Sequence, residues 1–148
     1  MSNPSKPASL LENSPDSARR IAILGSTGSI GLSTLRIVEA YPERFSVTAL
    51  AAGRNVDIAC EQCCQWRPKL VSMATHEAAS ELKTRLHARG VDIPVLSGPE
   101  ASVHVATHPE TNFVVSAIVG VGGLEATYEA VKAGKSVGLA NKECLVAA

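Results

Sequence analysis

The amino-acid sequence predicts an α/β fold in which a doubly wound, mostly parallel sheet carries helices on both faces. Three observations predict it. Short apolar runs alternate with amphipathic segments of about ten residues, the first apolar run ends in a glycine-rich turn, and 148 residues suffice for one domain but not two. Strands that alternate with helices pair in parallel, because each helix forms a right-handed crossover between them.

The first strand is predicted at 21–24, where a continuous apolar run ends at a glycine, as in strands that are buried on both faces. A helix is predicted at 30–41, because apolar side chains recur there at helical spacing until Pro42 ends the pattern.

The alternation then continues to the end of the chain. Apolar runs rich in valine, leucine and alanine predict the later strands, and the helices after the third and fifth strands are expected to end at Gly90 and Gly134. In chain order, these strands are predicted at 45–51, 70–73, 94–96, 113–118 and 136–139, and the helices at 57–66, 78–89, 99–106 and 122–133. Residues 1–18, rich in serine and proline and without an apolar segment, predict a disordered leader ahead of a domain at 19–148.

The composition argues against two classes of partner. No apolar run approaches the roughly 20 residues of a membrane helix, and 14 basic residues balance 14 acidic ones, so we expect no membrane and no nucleic-acid partner. Cys60, Cys63 and Cys64 cluster in a way that suits neither a disulfide framework nor a four-ligand zinc site. We assign these thiols no function and expect a reducing, cytoplasmic compartment.

The glycine-rich turn at 25–31 (GSTGSIG) follows the first strand and opens the first helix. Gly25 would permit a tight turn, Gly28 would let the backbone approach a pyrophosphate, and Gly31 would let the helix pack close to the sheet. Free amides at the start of a helix favour phosphate. In this context the turn predicts a Rossmann-type dinucleotide site, although a similar string in isolation also occurs in ordinary turns.

The segment after the second strand decides which dinucleotide is favoured. NAD-binding domains place an acidic residue there, whereas this chain has Gly53, Arg54 and Asn55. A guanidinium can make charge-assisted hydrogen bonds to a 2′-phosphate, so the sequence favours NADP, and a solvated surface arginine is the alternative. Asn141, Lys142 and Glu143 directly follow the last strand, where they would either contact cofactor and substrate or form a polar helix start.

Four segments together resemble 1-deoxy-D-xylulose 5-phosphate reductoisomerases: RRIAILGSTGSIGLSTLRIVE, ALAAGRN, SAIVGVGGLEATYEAVKAGK and LANKECLVAA. The resemblance covers about residues 19–148. It implies an NADPH-dependent oxidoreductase of the non-mevalonate isoprenoid pathway, which converts a phosphosugar to 2-C-methyl-D-erythritol 4-phosphate with magnesium or manganese and acts as a homodimer.

The resemblance also implies roles for individual residues. The family often has lysine in place of Arg54, which keeps the charge, and serine in place of Cys144. The implied NADPH contacts are Thr27, Gly28, Ser29 and Ile30 at the pyrophosphate, Gly53, Arg54 and Asn55 at the 2′-phosphate, and Asn141 and Glu143, while Lys142 would contact the substrate.

No catalytic residue and no metal ligand is assigned in this chain, because it ends before the family's acidic metal-binding motif. We therefore expect it to bind NADPH without turning over substrate. Two other hypotheses stay open from the residues alone. One is a reductase similar to aspartate-semialdehyde dehydrogenase, with Cys144 as a poor candidate nucleophile. The other is a non-catalytic NADP-binding module.

Overall fold

The computed structural model describes residues 18–118 and 121–138, so that most of the proposed leader lies outside the described residues. The described part contains six strands separated by five helices. In chain order these are β1 (Arg19–Leu24), α1 (Ser29–Ala40), β2 (Phe45–Ala51), α2 (Val56–Trp66), β3 (Leu70–Met73), α3 (His76–Ala88), β4 (Val95–Ser97), α4 (Ala101–Ala106), β5 (Phe113–Ser116), α5 (Val121–Lys132) and β6 (Ser136–Gly138).

The six strands form one sheet in the order β4-β3-β2-β1-β5-β6, and every neighbouring pair is parallel. The chain builds outward from β1 to β4 and then returns to place β5 on the other side of β1. The strand order therefore reverses between β1 and β5, and in open sheets of this kind ligands bind outside the carboxyl ends of the strands at that point. The predicted Rossmann-type fold is confirmed.

Helices cover both faces of the sheet, and the two faces have different side chains. On one face, α1, α2 and α3 pack against a cluster of large residues that includes Ile21 and Ile23 of β1. On the other, α4 and α5 pack against Ala22 and Leu24, and six of the ten buried residues described in that cluster are alanine. Successive side chains of β1 thus point to opposite faces, as a strand buried on both sides requires.

A β-bulge interrupts the pairing of β1 with β2. Ile21 lies opposite Val47, but the next residue of β1, Ala22, lies opposite Ala49, which leaves Thr48 as an extra residue in β2. The insertion reverses the alternation along β2. Val47 lies in the cluster of large residues, whereas Ala49 lies in the alanine-rich one.

The predicted elements agree with the structure to within about two residues, the usual uncertainty of element ends. Strand β1 begins two residues before its predicted start, because Arg19 and Arg20 already pair with Phe45 and Ser46 of β2. Gly90 and Gly134 have positive φ angles of 71° and 85° after α3 and α5, as predicted for the ends of these helices. None of the helices in the described ranges is long and apolar enough to span a bilayer.

Candidate cofactor-binding site

The turn after β1 is closed by its own backbone and by β2. The amides of Gly25 and Ser26 both donate to the carbonyl oxygen of Ala51, at 2.8 and 3.0 Å, and the Gly28 amide donates to the Gly25 oxygen at 3.3 Å. Gly25 has a φ of 86°, and a Cβ there would lie 2.9 Å from the carbonyl oxygen of Ala117. Glycine is therefore required at 25 both by backbone conformation and by space.

Gly31 brings the first turn of α1 against the backbone of the glycine turn. A Cβ at this position would lie 2.3 Å from the Gly25 oxygen and 2.6 Å from two backbone atoms of Ser26. The sequence predicted a close approach here. The helix approaches the turn itself, whereas the sequence predicted an approach to the sheet.

Gly28 differs from these two glycines because the fold itself does not require it. Its φ of −80° and ψ of 175° are extended angles that any residue adopts. A Cβ would meet only the Gly25 oxygen, at an ordinary contact distance of 3.8 Å. The missing side chain at Gly28 leaves the backbone of 27–30 uncovered on the exposed side of the turn, and we call this uncovered backbone the cradle. A diphosphate fits such a place, since it can approach the backbone where no Cβ projects.

The start of α1 offers unpaired donors beside this cradle. The helix has no side-chain cap at Gly28, and no acidic residue lies in its first turn. Among the described residues, the backbone amides of Thr27, Ser29 and Ile30 have no hydrogen-bond acceptor. Free amides and the positive end of the helix dipole suit an anion, so the predicted phosphate contacts are brought together at one edge of the sheet.

The second half of the candidate site lies at the carboxyl end of β2. The amide of Ala52 donates to Ser72 at 2.8 Å, and the Gly53 oxygen accepts from the Ala74 amide at 2.8 Å, so neighbouring β3 holds this loop. Arg54 is exposed and has no ion pair or hydrogen bond within the described ranges. Its guanidinium is therefore available to an anion.

Asn55 has a structural role in addition to its predicted one. Its side-chain oxygen accepts a hydrogen bond from the Ile58 amide at 3.0 Å and so caps α2. Its amide nitrogen, which is a donor, has no partner among the described residues. Asn55 can therefore fix the start of α2 and still donate to a ligand, because the two tasks use different atoms.

One residue of this site was not predicted. Gln62 lies on α2, is 5% exposed, and donates from Nε2 to the backbone oxygen of Ser26 at 2.9 Å. The side-chain oxygen of Gln62, Oε1, and the hydroxyl of Ser26 are buried without a partner in the part of the chain that the structure describes. A glutamine on a helix face 36 residues from the turn carries no local signal of this contact.

The remaining candidate residues are those after the last strand, the possible metal ligands and the cysteines. Asn141, Lys142 and Glu143 lie outside the described residues, so that the structure does not place them. In the described ranges no group of three or more histidine, cysteine, aspartate or glutamate side chains could hold a metal ion. Burial raises the pKa of the Cys63 thiol to about 12, which makes it a poor nucleophile at neutral pH.

Comparison with protein families gives one match for nearly all of the chain. The family model for 1-deoxy-D-xylulose 5-phosphate reductoisomerase matches residues 21–148. A relative of that name from Glaesserella parasuis serovar 5 is 50% identical over 128 residues, which are 86% of this chain and 32% of the relative. One from Nitrosococcus oceani is 50% identical over 126 residues, 85% of this chain and 32% of the relative. The chain thus spans about a third of the length of these relatives.

Solved structures of similar proteins agree with the fold. A crystal structure of DOX-P reductoisomerase in complex with NADPH, fosmidomycin and magnesium has a TM-score of 0.78 and 37% identity, covering 84% of this chain and 30% of that one. The 1-deoxy-D-xylulose 5-phosphate reductoisomerase from Zymomonas mobilis in complex with NADPH has a TM-score of 0.75 and 37% identity, covering 88% and 34%. These matches favour the reductoisomerase hypothesis over a reductase similar to aspartate-semialdehyde dehydrogenase and over a non-catalytic NADP-binding module.

Proposed function

The chain belongs to the 1-deoxy-D-xylulose 5-phosphate reductoisomerase family, and on this premise we propose that residues 19–148 form a single NADPH-binding domain. The supporting observation is the geometry of Gly28. The fold does not use the absence of a side chain there, whereas a ligand that must touch the backbone would. The two solved relatives that contain NADPH support the same cofactor for this chain.

In this proposal the chain binds NADPH at two places on the carboxyl edge of the sheet. The amides of Thr27, Ser29 and Ile30 hold the diphosphate, Gly28 lets it reach them, and Gly25 makes the tight turn that presents them. The adenosine end lies over the loop after β2. There Gly53, Arg54 and Asn55 surround the 2′-phosphate, with the Arg54 guanidinium supplying the charge that distinguishes NADPH from NADH.

Three further residues complete the proposed site from outside the described ranges. Asn141 and Glu143 contact NADPH, and Lys142 binds the anionic phosphosugar as a point charge. Bound NADPH supplies a hydride to the aldehyde formed when 1-deoxy-D-xylulose 5-phosphate rearranges, which yields 2-C-methyl-D-erythritol 4-phosphate. The magnesium present in solved relatives supports a divalent metal for the whole enzyme. We further propose that the whole enzyme is a homodimer without membrane or nucleic-acid partners and lies in the cytoplasm, where Cys60, Cys63 and Cys64 stay unpaired as they are in the described residues.

Binding measurements test the cofactor assignment. We would titrate NADPH and NADH into the 148-residue chain and into Gly28→Ala, Gly28→Val and Arg54→Gln, following nicotinamide fluorescence or heat. The two glycine variants should fold normally and weaken both nucleotides, valine more than alanine, because each adds bulk only to the cradle. Normal affinity of Gly28→Val for NADPH would refute the proposed site.

The arginine variant tests the choice of cofactor. Arg54→Gln should weaken NADPH by about 10-fold to 100-fold, the loss of one charge-assisted hydrogen bond, and leave NADH almost unchanged. Arg36→Gln on α1 is the matched control, since Arg36 is also exposed and lies away from the turn. Equal loss of both nucleotides in Arg54→Gln, or no loss of either, would remove the 2′-phosphate from the proposal.

A further inference from the structure

The Ser26–Thr27 peptide is the part of the glycine turn that α2 holds in place. The Gly25 and Ser26 amides bind β2, and the Gly28 amide closes the turn, but the Ser26 carbonyl has a different partner. It accepts from the Nε2 atom of Gln62, at 2.9 Å. In the described ranges, this side chain is the contact that fixes which way the carbonyl points.

Fixing that carbonyl also fixes the next amide. A trans peptide is planar, so the Ser26 C=O and the Thr27 N–H point in opposite directions. With the carbonyl directed at α2, the Thr27 amide is directed away from α2, and it has no acceptor among the described residues. If this peptide rotated by half a turn, a carbonyl oxygen would replace the N–H and would repel a diphosphate.

Gln62 is well suited to hold this contact. It donates without carrying a charge, whereas an ionised glutamate at the same buried place could only accept. Its helix is held by Asn55, which caps its start, and by Ala59, Cys60 and Cys63, which are buried in the core. The donor therefore approaches the turn from a fixed position.

The remaining polar atoms argue against a role in stability alone. Gln62 Oε1 and Ser26 Oγ are both buried without partners in the described part of the chain. An unsatisfied buried acceptor lowers stability, and an apolar side chain would only move this cost from Gln62 Oε1 to the Ser26 carbonyl oxygen, so stability alone favours neither residue. The amide of Gln62 is therefore explained by its hydrogen bond to the Ser26 oxygen, which orients the Ser26–Thr27 peptide.

We propose that Gln62 is a positioning residue of the nucleotide site, which holds the Ser26–Thr27 peptide with its N–H toward the diphosphate. The inference rests on the proposed NADPH-binding function and adds to it a residue 36 positions from the turn that no motif identifies. Gln62 does not touch the nucleotide. It acts through the orientation of one amide.

The test compares Gln62→Met with Gln65→Met. Both changes replace an amide by an unbranched apolar side chain on the same helix, but Gln65 is exposed and lies 3.4 Å from Glu39, away from the turn. Affinity for NADPH is compared with affinity for adenosine 2′-monophosphate, which has the 2′-phosphate but no diphosphate. Gln62→Met should weaken NADPH by about 10-fold to 100-fold and leave the monophosphate unchanged, while Gln65→Met changes neither.

The alternative results separate three cases. Equal loss of both ligands together with a lower melting temperature would make Gln62 merely structural, and unchanged NADPH affinity would refute the inference directly. If the wild-type chain binds the monophosphate but NADPH no better, or if Gly28→Val binds NADPH normally, the proposed function fails instead. The last two results concern proteins in which Gln62 is intact.

A measurement on the wild type covers the possibility that Gln62→Met does not fold. In a backbone amide NMR titration with NADPH, the Thr27 proton should shift as strongly as those of Ser29 and Ile30. The Gln62 side-chain amide should remain protected from exchange in both the free and bound states, because its bond to Ser26 is already formed. A Thr27 signal that does not move while the other two shift would refute the inference.

Discussion

Replacing Gly31 by alanine adds one methyl group where three backbone atoms already lie. The new Cβ would be 2.3 Å from the Gly25 oxygen and 2.6 Å from the carbonyl carbon and Cα of Ser26. Carbon atoms in contact normally lie about 3.5 to 4.0 Å apart, so each overlap is about 1 Å or more. No side chain can rotate away, and α1 must move relative to the turn.

The cost follows from that displacement. Overpacking of this kind destabilises a protein by about 1–3 kcal/mol, which for a domain of this size lowers the melting temperature by roughly 2 to 12 °C. Thermal unfolding followed by circular dichroism measures the change. Because the helix start carries the Ser29 and Ile30 amides, Gly31→Ala should also weaken NADPH binding.

Gly28→Ala is the matched control, three residues earlier in the same turn. Its Cβ would lie 3.8 Å from the nearest atom, and its backbone angles suit alanine. Alanine makes the unfolded chain less flexible, which raises the free energy of unfolding by about 0.4–1 kcal/mol. This gain offsets the weaker helix cap that alanine provides, so the melting temperature should hardly change. A Gly31→Ala variant that melts like the wild type would contradict this prediction, and so would a Gly28→Ala variant that loses as much stability as Gly31→Ala.

Three further predictions concern the rest of the domain. Leu82→Ala should lower the free energy of unfolding by about 2–5 kcal/mol in urea titrations, because Leu82 is 0% exposed, while the neighbouring exposed change Lys83→Ala should alter it little. Thr75→Ala removes the hydroxyl that caps α3, accepting from the Ala78 amide at 3.1 Å, and should cost about 1 kcal/mol by the same measurement. Burial raises the pKa of Cys63 from 9.0 to about 12, so its contribution to stability is fully present below pH 9 and is lost as the pH rises toward 12. Urea midpoints measured up to pH 10.5 should fall more steeply for the wild type than for Cys63→Ala, and parallel curves would contradict this.

The order of elements was predictable because local physics determines it in this chain. The apolar run before Gly25 is typical of a strand buried on both faces, and Gly90 and Gly134 end helices because glycine adopts positive φ without strain. The glycine turn was predictable for the same reason, because the glycines that it requires are close together in the sequence. Its place directly after a strand followed from the chain-wide alternation, whereas its place at the strand-order reversal is known from the observed strand order.

Other features depend on contacts between distant residues and had no local signal. The extra residue Thr48 in β2 is defined by its pairing with β1, and no spacing in the sequence reveals it. Gln62 looks like any polar residue on an amphipathic helix until α2 is packed beside the turn. The roles of Asn141, Lys142 and Glu143 stay predictions, because those residues lie outside the described ranges.

The two faces of the sheet should respond in opposite ways to random substitution. Where α4 and α5 meet the sheet, the contact is lined by alanines such as Ala22 of β1 and Ala126 and Ala130 of α5, so almost any replacement is larger than the original and pushes the layers apart. On the side of Ile23 and Leu50, almost any replacement is smaller, so errors leave holes. A saturation library of this chain should therefore accept only the smallest residues on the alanine-lined side and swaps of similar volume on the other.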